Sequence, residues 1–531
     1  MKVDPIFLEV FKNRMVSVSE EMGVTLSRTA FSPNIKERKD LSCALFDHNG
    51  EMIAQAAHIP VHLGSMPLSV QTAISEIDFE QGDMVVLNDP YLGGTHLPDI
   101  TVIAPVFESK FDIPLFYVAN RAHHSDVGGM SSGSMPVSNS LYQEGIRIPP
   151  LKLLKRGEIN SSLMDLVLSN VRTPEEREGD FSAQIMSNVT GINRLLELLS
   201  EYGREKVVHY SQALMDYSER IMRTTIAKIP DGECEFVDYM DDDGFGECDV
   251  PIGLLLCVNG ENAYLDFSST GDQVQGSINA VRSILVSAVM YVFRSLVTQD
   301  IPTNSGCLRP LSIYTRKGSL VEARFPAAVA GGNVETSQRI VDVVLGALSR
   351  AVPDRVPAAS QGTMNNVSIG GECSDNSFSY YETIAGGMGA SGISSGESTV
   401  HSHMTNTMNT PVEALECSYP LRVNKCSIRR YSGGTGKFKG GDGLIREIEA
   451  LSPCEVTVLS ERRKHSPYGL YGGSPGLKGE NLFVGKNGAV RQMPGKFSIN
   501  LQEGDRIRVL TPGGGGFGSG QKTDDGKSKD C

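Results

Sequence analysis

Two short segments of this 531-residue chain restrict its fold more than any other feature: Asn88-Asp-Pro-Tyr-Leu-Gly-Gly-Thr-His-Leu-Pro-Asp99 and Arg121-Ala-His-His-Ser-Asp126. They hold three of the ten histidines, and for these to act together, side chains remote in sequence must become neighbours in space. His96 and Asp99 are three residues apart, a spacing that lets an imidazole and a carboxylate converge from one short turn. Pro98 stiffens that turn by fixing its backbone angle. Two nitrogen donors with one or two carboxylates suit a mononuclear site for a borderline divalent ion such as zinc or manganese. Spacing alone is equally compatible with a plain turn, because Asp-Pro and Pro-Asp pairs are common turn formers. A regular zinc finger is excluded, since no Cys-x-x-Cys pair accompanies the histidines.

Periodicity places these segments among strands. Apolar residues Ile6, Val10, Phe11, Met15, Val18, Met22 and Leu26 recur at three-to-four spacing and predict an amphipathic helix over 5–30. Strands are expected at Leu41–Phe46 and Met52–Gln55, joined by an Asn49-Gly50 hairpin turn, and again at Met84–Leu87, Ile100–Val106 and Leu115–Ala119. The histidine segments then fall just outside strand ends, where walls are rigid and ligands accessible. A helical region is expected from Leu163 to Ile229, interrupted at Pro174 and Gly191, with further helices at Ile278–Thr298 and Ser337–Ala351. Strand-like runs at Ile445–Leu451, Glu455–Leu459 and Arg506–Leu510 point to a β-rich end.

The fold class is α+β and multi-domain: a mixed α/β N-terminal part carrying the metal site, a central helical region and a β-rich C-terminal part. We place boundaries at 1–230, 231–427 and 428–518, with 519–531 as a polar, disordered tail. The length exceeds what one core fills, and 40% hydrophobic with 21% charged residues is ordinary for a globular protein. A formal charge of -14 argues against a nucleic-acid surface. Charges interrupt the first apolar residues, unlike a secretory signal, and no run of about 18 apolar residues suggests a membrane span. Ten cysteines without repeating spacing fit free thiols in a reducing compartment, so a cytoplasmic location is expected.

Three other motifs carry little. Asp241-Asp-Asp-Gly-Phe-Gly lacks the ligand spacing of a calcium loop and reads as a hairpin turn. Gly387-Met-Gly-Ala-Ser-Gly392 satisfies a dinucleotide pattern, but a Ser/Gly-rich stretch follows it instead of a helix. Gly436-Lys437 lacks the preceding glycine of a phosphate-binding loop.

The stretches Glu37–Leu45, Asn88–Ile100 and Asn120–Gly129 resemble the hydantoinase B family. So do Gly331-Gly-Asn-Val-Glu-Thr-Ser337, Tyr380–Gly387, His401–Asn406, Ser460–Arg463 and Thr511–Gly518. The resemblance implies a divalent metal, zinc or manganese, held by Asp40, His96, Asp99 and His123, with His124 competing for the place of His123. Asp126 and His124 are the candidate proton-transfer residues, Asp126 alternatively orienting a ligand imidazole. Glu335 and Glu382 could line a substrate pocket, and His401 and His403, two apart on a strand, could carry protons. The function implied is the metal-dependent B subunit of an ATP-dependent hydantoinase, 5-oxoprolinase or lactamase. A separate hydantoinase A-type ATPase would use the ATP, phosphorylating a small cyclic amide before this chain opens it. The partnership would be a hetero-oligomer, with no nucleic acid and no membrane. The alternatives are a subunit of an acetone- or acetophenone-type ketone carboxylase, and a non-catalytic scaffold.

Overall fold

The computed structural model describes residues 2–56, 58–108, 113–373 and 376–520, so residues 521–531 of the expected tail lie outside the described residues. The α+β expectation holds, with helices set among four sheets. Helix α1 (Pro5–Thr29) starts where Asp4 caps it, accepting from the Ile6 N–H at 3.0 Å, and Pro5 occupies its first turn. Its stripe Phe11, Met15, Val18, Met22 and Leu26 is buried as the spacing requires, whereas Ile6 and Val10 face outward. A short α2 (Pro33–Lys36) leads into the first sheet.

That sheet is antiparallel and has the order β2-β1-β5-β4-β3-β6-β7. Its strands are β1 (Leu41–Asp47), β2 (Met52–Gln55), β3 (Met84–Leu87), β4 (Asp99–Val106), β5 (Phe116–His123), β6 (Leu151–Lys155) and β7 (Glu158–Ile159). Strands β1 and β3 to β5 are buried throughout, so both sheet faces are covered. On one face lies α3 (Ser65–Glu76): Arg121 of β5 donates to Ser65 Oγ and Ser69 Oγ at 2.5 and 2.7 Å. The other face carries α1 and α5 (Pro174–Tyr202), which follows α4 (Ser161–Leu168). Here Asn120 Nδ2 donates to the Gln184 carbonyl at 2.8 Å, and Asn188 Nδ2 to that of Val102 at 3.0 Å.

The expected break at Gly191 does not occur; it lies inside α5, and the chain turns instead at Gly203, before α6 (Arg204–Ile226). A Cβ on Gly191 would stand 2.5 Å from the Met22 sulfur and 3.1 Å from Val118. This glycine is therefore a close-packing point between α5, α1 and the sheet.

A second sheet, β11-β10-β9-β8, is built from β8 (Gly232–Asp242), β9 (Cys248–Asn259), β10 (Asn262–Asp266) and β11 (Leu311–Tyr314). The acidic run forms the β8–β9 hairpin as expected. Helix α7 (Arg282–Ser295) connects β10 to β11, and α8 (Ser337–Ala351) follows β11, entered through a wide turn with π-helical hydrogen bonding over Gly332–Thr336.

The remaining strands are β12 (Asn366–Cys373), β13 (Asn376–Glu382), β14 (Leu421–Arg429), β15 (Gly443–Ala450), β16 (Cys454–Leu459), β17 (Glu480–Val484), β18 (Val490–Met493), β19 (Lys496–Leu501) and β20 (Arg506–Leu510). They form two sheets, β13-β12-β16-β19 and β14-β15-β20-β17-β18. Gly387 opens no helix; a Cβ there would meet the Gly441 carbonyl oxygen at 2.0 Å and Gly514 N at 2.4 Å, so glycine is needed where three backbones touch. One apolar core runs from Leu8 to Leu459 and a second from Val367 to Val509. Among the described residues no helix is long and apolar enough to cross a membrane, and Cys43, Cys234, Cys248, Cys257, Cys307, Cys417, Cys426 and Cys454 are free thiols.

Candidate metal centre

Antiparallel pairing of β4 with β5 sets Asp99 directly opposite His123, and the pairing of β1 with β5 brings Asp40 to the other flank. The His123 N–H donates to the Asp40 carbonyl at 3.0 Å, and the His124 N–H to that of Pro98 at 2.9 Å. Asp99 is thus the first residue of β4 and His123 the last of β5, within the strands instead of just beyond them. The ladder extends this far because these two residues pair with each other.

Three atoms meet at this point. His96 Nε2 to Asp99 Oδ1, His123 Nδ1 to Asp99 Oδ1 and His96 Nε2 to His123 Nδ1 are each 3.2 Å. All three residues are buried, and they could hold a metal ion. Donors about 2.0–2.2 Å from a zinc-sized ion stand roughly 3.0–3.5 Å from one another, so the triangle has the dimensions of one face of a coordination shell.

The second oxygen of Asp99 is held separately. Oδ2 accepts from Thr95 Oγ1 at 2.5 Å and lies 3.3 Å from His62 Nε2, while His62 Nδ1 is 2.8 Å from Ser42 Oγ. Burial pushes the Asp99 carboxyl up, but the His96, His62 and His123 imidazoles more than reverse this and hold it well below the usual carboxylate range. Burial lowers His123 from its ordinary value, against the pull of Asp99 and Asp40. A neutral imidazole at His123 and an ionised carboxylate at Asp99 are the states that suit a bound cation.

The C-terminal half closes over the triangle. The Tyr381 ring stacks on His123 with centroids 4.8 Å apart and planes at 12°, and its hydroxyl donates to Asn366 Oδ1 at 2.7 Å. Asn366 Nδ2 in turn donates to Glu335 Oε1 at 2.7 Å. Asn333, in the wide turn before α8, puts its Nδ2 3.1 Å from His96 Nε2. Glu144 accepts on Oε1 from the Val329 and Ala330 N–H groups at 2.9 and 3.0 Å and from Ser138 Oγ at 2.7 Å. Burial pushes its carboxyl up to about 7.

The other expected residues stand elsewhere. Strand alternation turns His124 to the face opposite His123. There its Nε2 is 3.0 Å from Gln184 Oε1, its ring lies against Phe181, and burial lowers it to about 4. Asp126 is engaged by Arg172, whose Nη1 donates at 2.8 Å and whose N–H donates at 2.7 Å. Asp40 offers its carbonyl to His123 while its carboxylate is outside the triangle. Glu382 pairs with Arg446 at 3.1 Å, and burial pushes Glu335 up to about 8.

His401 and His403 do not lie on a strand, because their segment finds no ladder partner; His403 adopts a left-handed φ of 58°, beside Tyr291 and 3.7 Å from Asp342. Sequence reasoning missed His62, Tyr381, Asn366, Asn333 and Glu144. The His58-x-x-x-His62 spacing is the one local hint, and without accompanying cysteines it points to no site by itself.

A buried cluster of two imidazoles and a carboxylate, clamped between an antiparallel sheet and a C-terminal β-rich half, defines an α+β protein with a candidate metal centre. The chain belongs to the hydantoinase B/oxoprolinase family, which matches residues 4–520. It is 41% identical over 529 residues to a 5-oxoprolinase of Dictyostelium discoideum, covering 97% of this chain and 40% of that protein. The chain thus spans about two-fifths of the length of that relative. It is 31% identical to the putative B subunit of a D-/L-hydantoinase from a Pseudomonas species, covering 98% of this chain and 90% of that one. The crystal structure of the ATP-dependent caprolactamase from Pseudomonas jessenii superposes with a TM-score of 0.90 at 28% identity, covering 98% of this chain and 92% of the other.

Proposed function

We propose that this chain is the metal-dependent hydrolytic B subunit of an ATP-dependent cyclic amidase acting in the cytoplasm. A separate hydantoinase A-type ATPase would be its partner and a small cyclic amide such as a lactam or hydantoin its substrate. The observation that carries this reading is the buried triangle of His96, Asp99 and His123 with 3.2 Å edges. Family membership and the hydantoinase, oxoprolinase and caprolactamase relatives support the substrate class.

A resonance-stabilised amide resists attack, so phosphorylation of its oxygen by the partner would supply the activation. A zinc or manganese ion held by the triangle would supply Lewis acidity and lower the pKa of a water bound to it. His96 and His123 would present Nε2 and Nδ1 lone pairs to it. Asp99 would give one oxygen while Thr95 and His62 fix the other, so that its carboxylate cannot swing away. Asp40, on the far flank of His123, is the candidate fourth ligand. Tyr381, stacked on His123, walls off water on that side. Glu144, which burial sets near neutrality, is the carboxyl group available to hold a proton, Asp126 being committed to Arg172.

The test is co-expression with an A-type ATPase, followed by ADP release against 5-oxoproline, hydantoins and caprolactam. The expected result is cyclic-amide-dependent ATP hydrolysis that needs both chains and is lost in His96→Ala. Turnover of ketones that requires bicarbonate would contradict it in favour of a carboxylase. Ring opening unaffected by His96→Ala would leave the triangle no catalytic part.

A further inference from the structure

Asn333 is held against the triangle by unusual local structure. Gly332, just before it, passes so close to the neighbouring chain segment that a Cβ would stand 1.9 Å from the Asn279 carbonyl oxygen. The turn that follows is wound with π-helical hydrogen bonds over Gly332–Thr336, a geometry that recurs at functional sites because it costs stability. It is pinned at its end by Thr336 Oγ1 donating to the Ile278 carbonyl, and Ser337 Oγ donates to the carbonyl of Asn333 itself at 2.5 Å. The residue is 4% exposed, and the Oδ1 of its carboxamide is shielded from bulk water.

Within that carboxamide the two polar atoms differ. Nδ2 lies 3.1 Å from His96 Nε2, whereas Oδ1 is buried with no hydrogen-bond partner. Buried carbonyl oxygens almost always have a partner, so an orphan calls for one that the protein itself does not provide. The Nδ2 contact also holds only while His96 Nε2 keeps a free lone pair to accept with. Once that lone pair is given to a cation, the amide N–H groups would face positive charge. Amide nitrogen and oxygen are nearly the same size, so a half-turn about Cβ–Cγ exchanges them without a steric penalty. Amide oxygens are good donors to divalent cations of the harder kind.

We propose that Asn333 is a member of the metal centre, turning its Oδ1 to the cation beside His96, Asp99 and His123. This rests on the metal reading above and extends it to a side chain contributed by the wide turn before α8. The centre then joins three parts of the chain: a strand pair, the loop carrying His96, and the entry to α8. The harder oxygen donor also shifts the donor balance toward manganese and away from zinc.

The experiment is a cobalt(II) titration of the metal-free full chain, followed by visible absorbance, for wild type, Asn333→Ala and Asn333→Asp. Wild type is expected to bind with a resolved d–d spectrum. Asn333→Ala should bind about 10- to 100-fold more weakly with shifted bands. Asn333→Asp, which keeps an oxygen in place and cannot offer an N–H, should bind at least as tightly as wild type. An alanine variant with the affinity and spectrum of wild type overturns the assignment of Asn333 while leaving the metal centre standing. An aspartate variant weaker than alanine overturns it too, since it would mean that the amide acts through its N–H. A wild type that takes up no cobalt overturns the metal reading and this inference with it.

Discussion

The protein buries two dense clusters of ionisable side chains, and they are built on opposite plans. Around β8, α8 and β19, Arg339, Arg462 and Lys496 are matched by Asp238, Asp342 and Glu461. Arg462 Nη2 lies 2.8 Å from Asp238 and 2.5 Å from Asp342, Arg339 Nη2 3.2 Å from Glu461, and Lys496 Nζ 2.6 Å from Glu461. At the ends of β4 and β5, Asp99 has three imidazoles around it and, among the described residues, no ion pair with an arginine or lysine. The first cluster is neutralised by permanent charges from its own chain. The second converges the lone pairs of two imidazoles and a carboxylate on one point. A charge cluster neutralised within the chain is costly to break at one partner, whereas donors that converge without a cationic side chain among them form a candidate site.

The comparison is broken most forcefully at Arg462. Replacing it with methionine leaves Asp342 and Asp238 as buried charges without their guanidinium, and thermal or denaturant unfolding should show a loss of about 3–5 kcal/mol. At a temperature where the variant remains folded, its metal content should equal that of wild type. A variant that loses its metal while keeping its stability would erase the distinction between the clusters.

His62 gives the converse result. His62→Phe removes the imidazole beside Asp99 Oδ2, so metal affinity measured by chelator competition should fall about 10- to 100-fold. The unfolding midpoint in chelator should move far less than for Arg462→Met. Unchanged affinity would mean that Thr95 alone fixes Asp99.

Glu335 lies between the two clusters. It accepts from Asn366 on the side of Tyr381 and His123, and it feels Glu461 and Lys496 on the other. Burial pushes it up to about 8 from an ordinary 4.5, so the folded chain keeps a proton that the unfolded chain releases. Its contribution to stability therefore falls as pH rises from the unfolded value towards the folded one and levels off above it, by at most about 1.4 kcal/mol per pH unit. Glu335→Gln removes this slope. Its unfolding free energy relative to wild type should rise between pH 5 and pH 8, and a constant difference across that range would show that Glu335 is ionised in the fold.

Much of the second cluster was legible in the sequence because its signals are local. The three-residue spacing of His96 and Asp99, the Pro98 turn and the strand patterns around them give the elements that carry the triangle. Strand alternation then separates His123 from His124, once β5 is known to run through His123. The matched ion cluster was not legible, because Arg339, Arg462 and Lys496 meet their carboxylates across separations of 35 to 224 residues, with no spacing to betray it. The same holds for Asn333 and Tyr381, which reach the triangle only after the C-terminal half has folded over the first sheet. Gly191 was misread as a helix break because a glycine that lets two helices touch looks the same in sequence as one that ends a helix. His401 and His403 were misplaced because period-two spacing signifies a shared face only when a neighbouring strand is there to pair.

The most direct test of the account is the metal content of the purified full chain after loading with zinc or manganese, measured by inductively coupled plasma mass spectrometry alongside His96→Ala and His123→Ala. The account predicts about one tightly held ion per chain in wild type and none in either variant, with all three proteins folded. A folded wild type that retains neither ion, or variants that hold as much as wild type, would contradict it.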